Sequence, residues 1–195
     1  MNFLQESMIS IAEHVKEIAR TLDEKEVNSM IDSIQNAKKV FVFGAGRSGL
    51  VGKAFSMRLM HLGINVYVVG DVITPGIDKN DVLIVISGSG ETTLPVNAAK
   101  IAKEAGAKII GITTYPKSTL GKLSDLTVVI EGRTKLDGEK DFFVRQIKGE
   151  HYTLAPLGTL FEVSVLIFLD ALVVEMMTRM GKSEDDLRVR HATIE

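Results

Sequence analysis

From about residue 38 to 130, short runs of β-branched and apolar residues alternate with segments whose apolar positions recur every three or four residues. The runs "KVFVFG", "NVYVVG", "DVLIVISG", "AKIIGITT" and "LTVVI" predict five strands. Between them, "RSGLVGKAFSMRLMHLG" predicts a helix that Gly63 terminates. "TTLPVNAAKIAKEAG" predicts another, with Pro95 near its start and Gly106 beyond its end. A short helical segment separates the last two strands. The runs lack strict apolar–polar alternation, so the strands are expected to be buried on both faces. With helical spacers, that pattern predicts an α/β fold, a three-layer flavodoxin-like parallel five-stranded sheet with extra helices at both ends.

The flanks carry a different period. Leu4, Met8, Ile11, Val15, Ile18 and Leu22 form a heptad seam, which suits either a helix packed on its own domain or a dimerisation helix. Asp23 followed by Glu26 opens a second helix through about Ala37. The longest apolar stretch, "PLGTLFEVSVLIFLDALVVEMM", is interrupted by Glu162, Asp170 and Glu175. It reads as a buried helix at a core or subunit interface and not as a membrane span. The organisation expected is N-terminal helices over 1–36, one phosphate-binding domain over 27–180 and a tail over 181–195. Apolar helices at both ends argue for a homo-oligomer.

Composition narrows the function. With 45% hydrophobic and 25% charged residues, the chain has ordinary globular content and can build a full core. A net charge of −2 without a Lys/Arg block gives no electrostatic footprint for nucleic acid. The absence of cysteine removes disulfides, thiolate nucleophiles and Cys-based zinc sites, and fits a cytoplasmic protein. The first twenty residues contain no apolar core of a signal peptide. The four histidines, His14, His61, His151 and His191, show no metal-ligand spacing, so no metal is expected.

Two loops carry the chemistry. "VFVFGAGRSGLVG" contains G-x-G-x-x-G at Gly44, Gly46 and Gly49, with Asp71 one βα unit further on, which is the dinucleotide fingerprint. The third strand ends in "SGSGETT", which supplies Ser87, Gly88, Ser89, Glu91, Thr92 and Thr93. In a flavodoxin-like order strands one and three are neighbours, so both loops face one volume at the switch point. Each precedes a helix N-terminus, where free N–H groups favour an anion. Hydroxyls of Ser48, Ser87, Ser89 and Thr92 add donors, and Arg47 is the cation for a phosphate or a sugar hydroxyl. A dinucleotide would use only the first loop. A terminal phosphate uses both, and is the favoured ligand.

"SGSGETT" resembles the phosphosugar loop of the sugar isomerase (SIS) domain family, Ser-x-Ser-x-x-Thr, and the resemblance runs from about Val27 to the end. "GAGRSGLVGKAFSMRLMHLG", "PLGTLFEVSVLIFLDALV" and "RHATIE" resemble the 6-phospho-3-hexuloisomerase branch of that family. Thr193 and Ile194 depart from the tail of that branch, and Ala155 stands where it has Gln. The resemblance implies interconversion of a 3-hexulose 6-phosphate and fructose 6-phosphate without a cofactor. It also implies a tetramer and a role in formaldehyde fixation or pentose supply.

It further implies Glu162 as the base, about two turns into the helix that Pro156 opens; the residue alone also reads as a buried carboxylate paired with a Lys or Arg. Gly46, Arg47, Glu91 and His191 are expected near the substrate, with Glu91 orienting its loop. His61 reads either as a helix C-terminal residue or as a histidine donated across an interface to shuttle a hydroxyl proton. His191 either reaches a neighbour's site or docks the C-terminus. Residues 131–155 are expected to form a hairpin or a cover. Alternative functions on this scaffold are another aldose–ketose phosphate isomerase, such as one for arabinose 5-phosphate, and a non-catalytic phosphosugar-sensing module.

Overall fold

The computed structural model describes residues 2–132 and 155–191. Residues 133–154, nearly all of the expected hairpin or cover, and the last four residues therefore lie outside the described residues. In chain order the elements are α1 (Phe3–Thr21), α2 (Glu24–Asn36), β1 (Val40–Gly44), α3 (Arg47–Leu62), β2 (Val66–Val68) and β3 (Val82–Ile86). They continue with α4 (Thr93–Glu104), β4 (Lys108–Thr113), α5 (Thr119–Leu123), β5 (Leu126–Val129), α6 (Thr159–Met180) and α7 (Glu184–Arg188). The strands form one sheet in the order β2-β1-β3-β4-β5, and every neighbour is parallel. This is the flavodoxin-like α/β architecture that the strand and helix alternation predicts.

Strand period explains the three layers. Val40, Val42, Val82, Ile84, Ile86, Ile110 and Ile112 pack with side chains of α2, α3 and α6, among them Ile31, Phe55, Leu59, Phe168 and Leu172. The intervening Phe41, Leu83, Val85 and Ile109 pack with Val96 and Ala99 of α4 and Leu120 of α5. Because each strand alternates its side chains between two covered faces, the sequence reads as continuous apolar runs.

β2 is shorter than its apolar run suggests. It is an edge strand with β1 as its one partner, and the chain turns away after Val68. The Val68 carbonyl accepts bonds from the Asp71 N–H (3.1 Å) and the Thr74 hydroxyl (2.6 Å), which closes that turn.

The heptad seam of α1 divides in two. Ile18 is buried with Leu22 packed beside it, whereas Leu4 and Met8 are exposed together with Phe3 and Ile9. The C-terminal half of the helix packs on its own core, as one of its two readings expects, and the N-terminal half presents an apolar stripe. α6 buries Phe161, Val165, Leu169, Leu172 and Met176, so its apolar length serves the core. No helix among the described residues is long and apolar enough to cross a membrane.

Candidate active site

Gly44 pairs with Ile86 at the carboxyl ends of β1 and β3, so the loops that follow leave the sheet side by side. The glycines of the first loop have geometric reasons. A Cβ on Gly49 would stand 2.6 Å from the Gly44 carbonyl oxygen, and one on Gly44 would stand 2.8 Å from the Ser48 backbone. That contact draws the first turn of α3 onto the end of β1. Gly46 has φ of 59° and is the residue preceding α3, with open space where a side chain would be.

Helix capping separates the site from the rest of the fold. Asn2, Asp23, Ser118 and Ser183 each cap their helix with a side-chain oxygen. The residues before α3, α4 and α6, namely Gly46, Thr92 and Gly158, make no such bond. The first turns of α3 and α4 therefore have N–H groups that no side chain caps, which is the local electrostatics of an anion site, whereas the Thr159 N–H at the start of α6 bonds the Pro156 carbonyl at 3.1 Å.

The second loop is built on hydroxyls. Ser87, itself buried, accepts the Gly90 N–H at 3.2 Å and lies 3.4 Å from the Thr92 hydroxyl. The Ser89 and Thr92 hydroxyls are 3.5 Å apart, and Ser89 accepts the Glu91 N–H at 3.2 Å. Gly88 contributes its backbone: its carbonyl accepts the Thr114 N–H and the Thr113 hydroxyl, both at 3.1 Å. Ser48 occupies the first turn of α3, on the facing loop.

Glu91 points away from this cluster. Its two carboxylate oxygens accept the Thr119 N–H and the Thr119 hydroxyl, both at 2.7 Å. These two bonds hold the carboxyl below the ordinary glutamate value. Glu91 therefore ties the loop to the start of α5, which is the orienting role that the sequence reading gives it. Ser118 and Thr119, not singled out in the sequence, complete that brace. A Cβ on Gly90 would stand 2.0 Å from the Ser118 hydroxyl, so loop and helix touch directly. The signal that could have revealed them is the Ser118 helix cap, visible as a Ser-Thr pair after Pro116.

Glu162 corrects its predicted place. α6 opens at Thr159 after Gly158, so Glu162 lies in the first turn and not two turns in. Gly158 takes a left-handed φ of 87° and turns the chain into the helix, whose first turn meets Arg47 of the loop after β1. The Glu162 carboxylate forms an ion pair with the Arg47 guanidinium, joining α6 to the loop after β1. Of the two sequence readings of Glu162, the structure shows the paired one: a largely covered carboxylate bonded to an arginine of the loop after β1.

The structure does not bring His61 and His191 to this point within one chain. His61 is buried at the other end of α3, about 21 Å along the helix from Arg47 at about 1.5 Å per residue. Its ring stacks on His191 with centroids 4.7 Å apart. Helix termination belongs to Gly63, whose N–H bonds the Leu59 and Met60 carbonyls, so the capping reading of His61 gives way to a packed one. Arg190 lies over Gly63, so the described part of the tail docks there. Asp71, the candidate ribose acid of a dinucleotide site, pairs with Lys53 at 3.2 Å. Among the described residues no group of three or more His, Asp or Glu is placed to hold a metal ion.

Comparison with known proteins agrees with this geometry. The SIS domain model matches residues 33–136. An uncharacterized protein of Aeropyrum pernix is 47% identical over 97% of this chain and 91% of its own length. A 3-hexulose-6-phosphate isomerase of Bacillus subtilis is 35% identical over 95% of this chain and 97% of its own length. A crystal structure from Methanococcus jannaschii, described as inferring a function of 3-hexulose-6-phosphate isomerase, superposes with a TM-score of 0.81 at 36% identity. The match covers 97% of this chain and 99% of that one. Its two hydroxyl-bearing loops, its sheet order and these relatives lead to one assignment: the chain belongs to the SIS domain family.

Proposed function

We propose that this protein is a sugar-phosphate isomerase, and specifically a 6-phospho-3-hexuloisomerase that interconverts 3-hexulose 6-phosphate and fructose 6-phosphate. The observation that carries the reading is the placement of Glu162 beside the anion-favouring loop after β1 through Arg47. The names and high coverage of the relatives support the substrate.

The reaction moves a carbonyl between C3 and C2 of an open-chain sugar. A base removes the C2 proton of the 3-hexulose, the electrons form a C2–C3 enediol, and a proton returns to C3. One carboxylate above that edge serves both transfers. Ser48, Ser87, Ser89, Thr92 and the free N–H groups of α3 and α4 hold the phosphate, so the carbon chain extends from a fixed end toward Glu162. A 3-hexulose 6-phosphate enters unringed, since a five-membered ring from C3 would need O6, which is esterified. Gly46 and Arg47 line the entry on the α3 side.

A neighbouring copy of the chain completes the site in this reading. Leu50, Val72, Ile73, Leu94 and Leu157, on the segments around the carboxyl edge of the sheet, are all exposed. Met57 and Met60 extend the apolar stripe along α3. Antiparallel α3 helices of two copies, paired about a two-fold axis, would set the His61 end of one beside the Arg47 end of the other. His191, the exposed ring of the stack with His61, would face the neighbour's site, and its movement aside would let the buried His61 move the hydroxyl proton between O2 and O3. Such a contact supports a homo-oligomer, and a tetramer needs one further interface, for which the exposed half of α1 is suited.

The deciding experiment incubates purified protein with fructose 6-phosphate and follows formation of the 3-hexulose isomer through a hexulose-phosphate synthase that releases formaldehyde. Turnover is expected. Binding of fructose 6-phosphate without turnover would instead support a sensing module, and turnover of arabinose 5-phosphate alone would redirect the substrate.

A further inference from the structure

The ion pair between Arg47 and Glu162 joins unequal partners. The arginine side chain is 63% exposed and the glutamate 14%. Among the described residues Arg47 bonds no other acidic side chain. It follows Gly46, whose left-handed backbone stands in open space, and it begins a helix that no side chain caps. The guanidinium is thus held mainly by the carboxylate, at the start of a helix whose N–H groups no side chain caps.

We propose that Arg47 is an exchange switch. In the empty site it occupies the Glu162 carboxylate; when a phosphorylated sugar enters, the phosphoryl group takes the guanidinium and releases Glu162 as the base. This inference rests on the isomerase reading and on Glu162 as its base. The driving force is charge. A phosphoryl dianion offers a guanidinium more charge and more acceptor oxygens than one carboxylate does. A carboxylate oxygen engaged by an N–H donor cannot take a carbon-bound proton with the same lone pair. The switch therefore links proton abstraction to the presence of phosphate at the far end of the substrate. Unphosphorylated ketoses that reach the site meet a masked base, which gives specificity beyond binding strength.

The test separates phosphate from sugar. Erythrulose is an open-chain ketose with a carbon-bound proton beside its carbonyl, and phosphite is a free dianion that mimics the phosphoryl group. Deuterium exchange at C3 of erythrulose is followed by NMR in D2O, with and without phosphite, for the wild type and Arg47→Gln. In the wild type phosphite should raise the exchange rate by about ten-fold or more, the effect of one charge-assisted bond. In Arg47→Gln the phosphite-free rate should rise above the wild-type value, and the phosphite effect should fall to about two-fold or less. A phosphite effect undiminished by Arg47→Gln, a phosphite-free rate no higher in that variant, or no phosphite response in a wild type that converts fructose 6-phosphate would each overturn the switch. Failure to convert fructose 6-phosphate at all would instead remove the isomerase reading beneath it.

Discussion

Arg47 and Glu162 stand 115 residues apart in the chain and form an ion pair where the first turns of α3 and α6 meet. That pair connects the phosphate-facing end of the sheet to a helix otherwise devoted to the core. Neither residue has a local reason to find the other. The meeting depends on Gly49, which lets α3 approach β1, and on Gly158, which turns the chain into α6.

Replacing the carboxylate should separate chemistry from binding. Glu162→Gln is expected to lower kcat for fructose 6-phosphate by about 10²–10⁴-fold, the usual contribution of a general base. Calorimetric titration with inorganic phosphate should show affinity retained or increased, because Arg47 no longer has a competing anion. Full activity in this variant would remove Glu162 from the mechanism.

The hydroxyl loop should govern affinity. Ser89→Ala is expected to raise KM for the phosphorylated sugar by about ten-fold, with kcat changed by less than about three-fold. Ser87→Ala should do the same and also cost about 1 kcal/mol of stability, since the Gly90 N–H loses one of its two acceptors. Steady-state kinetics and denaturant unfolding check both. A kcat effect larger than the KM effect would point to a role in the chemical step.

Glu91 gives a pH signature in stability. Its folded-state carboxyl is held low by Thr119, so the bonds stabilise the fold above the ordinary glutamate value and the contribution fades as pH falls through the depressed one. Glu91→Gln should therefore melt below the wild type at pH 7. The difference should shrink progressively once the pH drops below about 4.5. Thermal melts from pH 7 to pH 3 measure it; a constant gap would mean that the carboxylate charge is irrelevant.

Subunit donation has a direct test. His61→Asn and Glu162→Gln should each be inactive as purified variants. If a neighbour supplies His61, partial denaturation and co-refolding of a mixture should restore activity that neither has alone, because hybrids contain one intact site. No recovery from mixed oligomers shown to form would remove His61 from the neighbour's site.

Gly49→Ala tests the close approach itself. The added Cβ would meet the Gly44 carbonyl oxygen at 2.6 Å, and backbone cannot yield there as a flexible side chain would. A loss of about 1–3 kcal/mol in unfolding free energy is expected, as for overpacked interiors. Phosphate affinity should fall too, since α3 is pushed off β1.

Much of the fold is legible along the chain because its signals are local. Val40–Phe43 and Val82–Ile86 announce strands covered on both faces, and Gly63 announces the end of α3 by the left-handed turn only glycine takes cheaply. The serines of "SGSGETT" and the glycines of "GAGRSG" are equally readable, since each meets a need of its own loop. The position of Glu162 in its helix was less so. Pro156 is a good start signal, but Gly158 sets the boundary, and a positive φ is not written in composition.

The α/β class, the parallel sheet, the two hydroxyl-bearing loops and the Asp23 cap at the start of α2 are all readable along the chain. These follow from side-chain periodicity and from backbone demands a few residues long. The engagement of Glu162 by Arg47, the bracing of α5 by Glu91 through Thr119 and the stacking of His61 on His191 at the far end of α3 emerge with the packed fold, which sets three-dimensional neighbours that no local pattern encodes. It also decided which half of α1 is buried. Each of those relationships joins segments far apart in the chain, and the energy that selects a partner arises when packing brings the groups into contact and removes water between them.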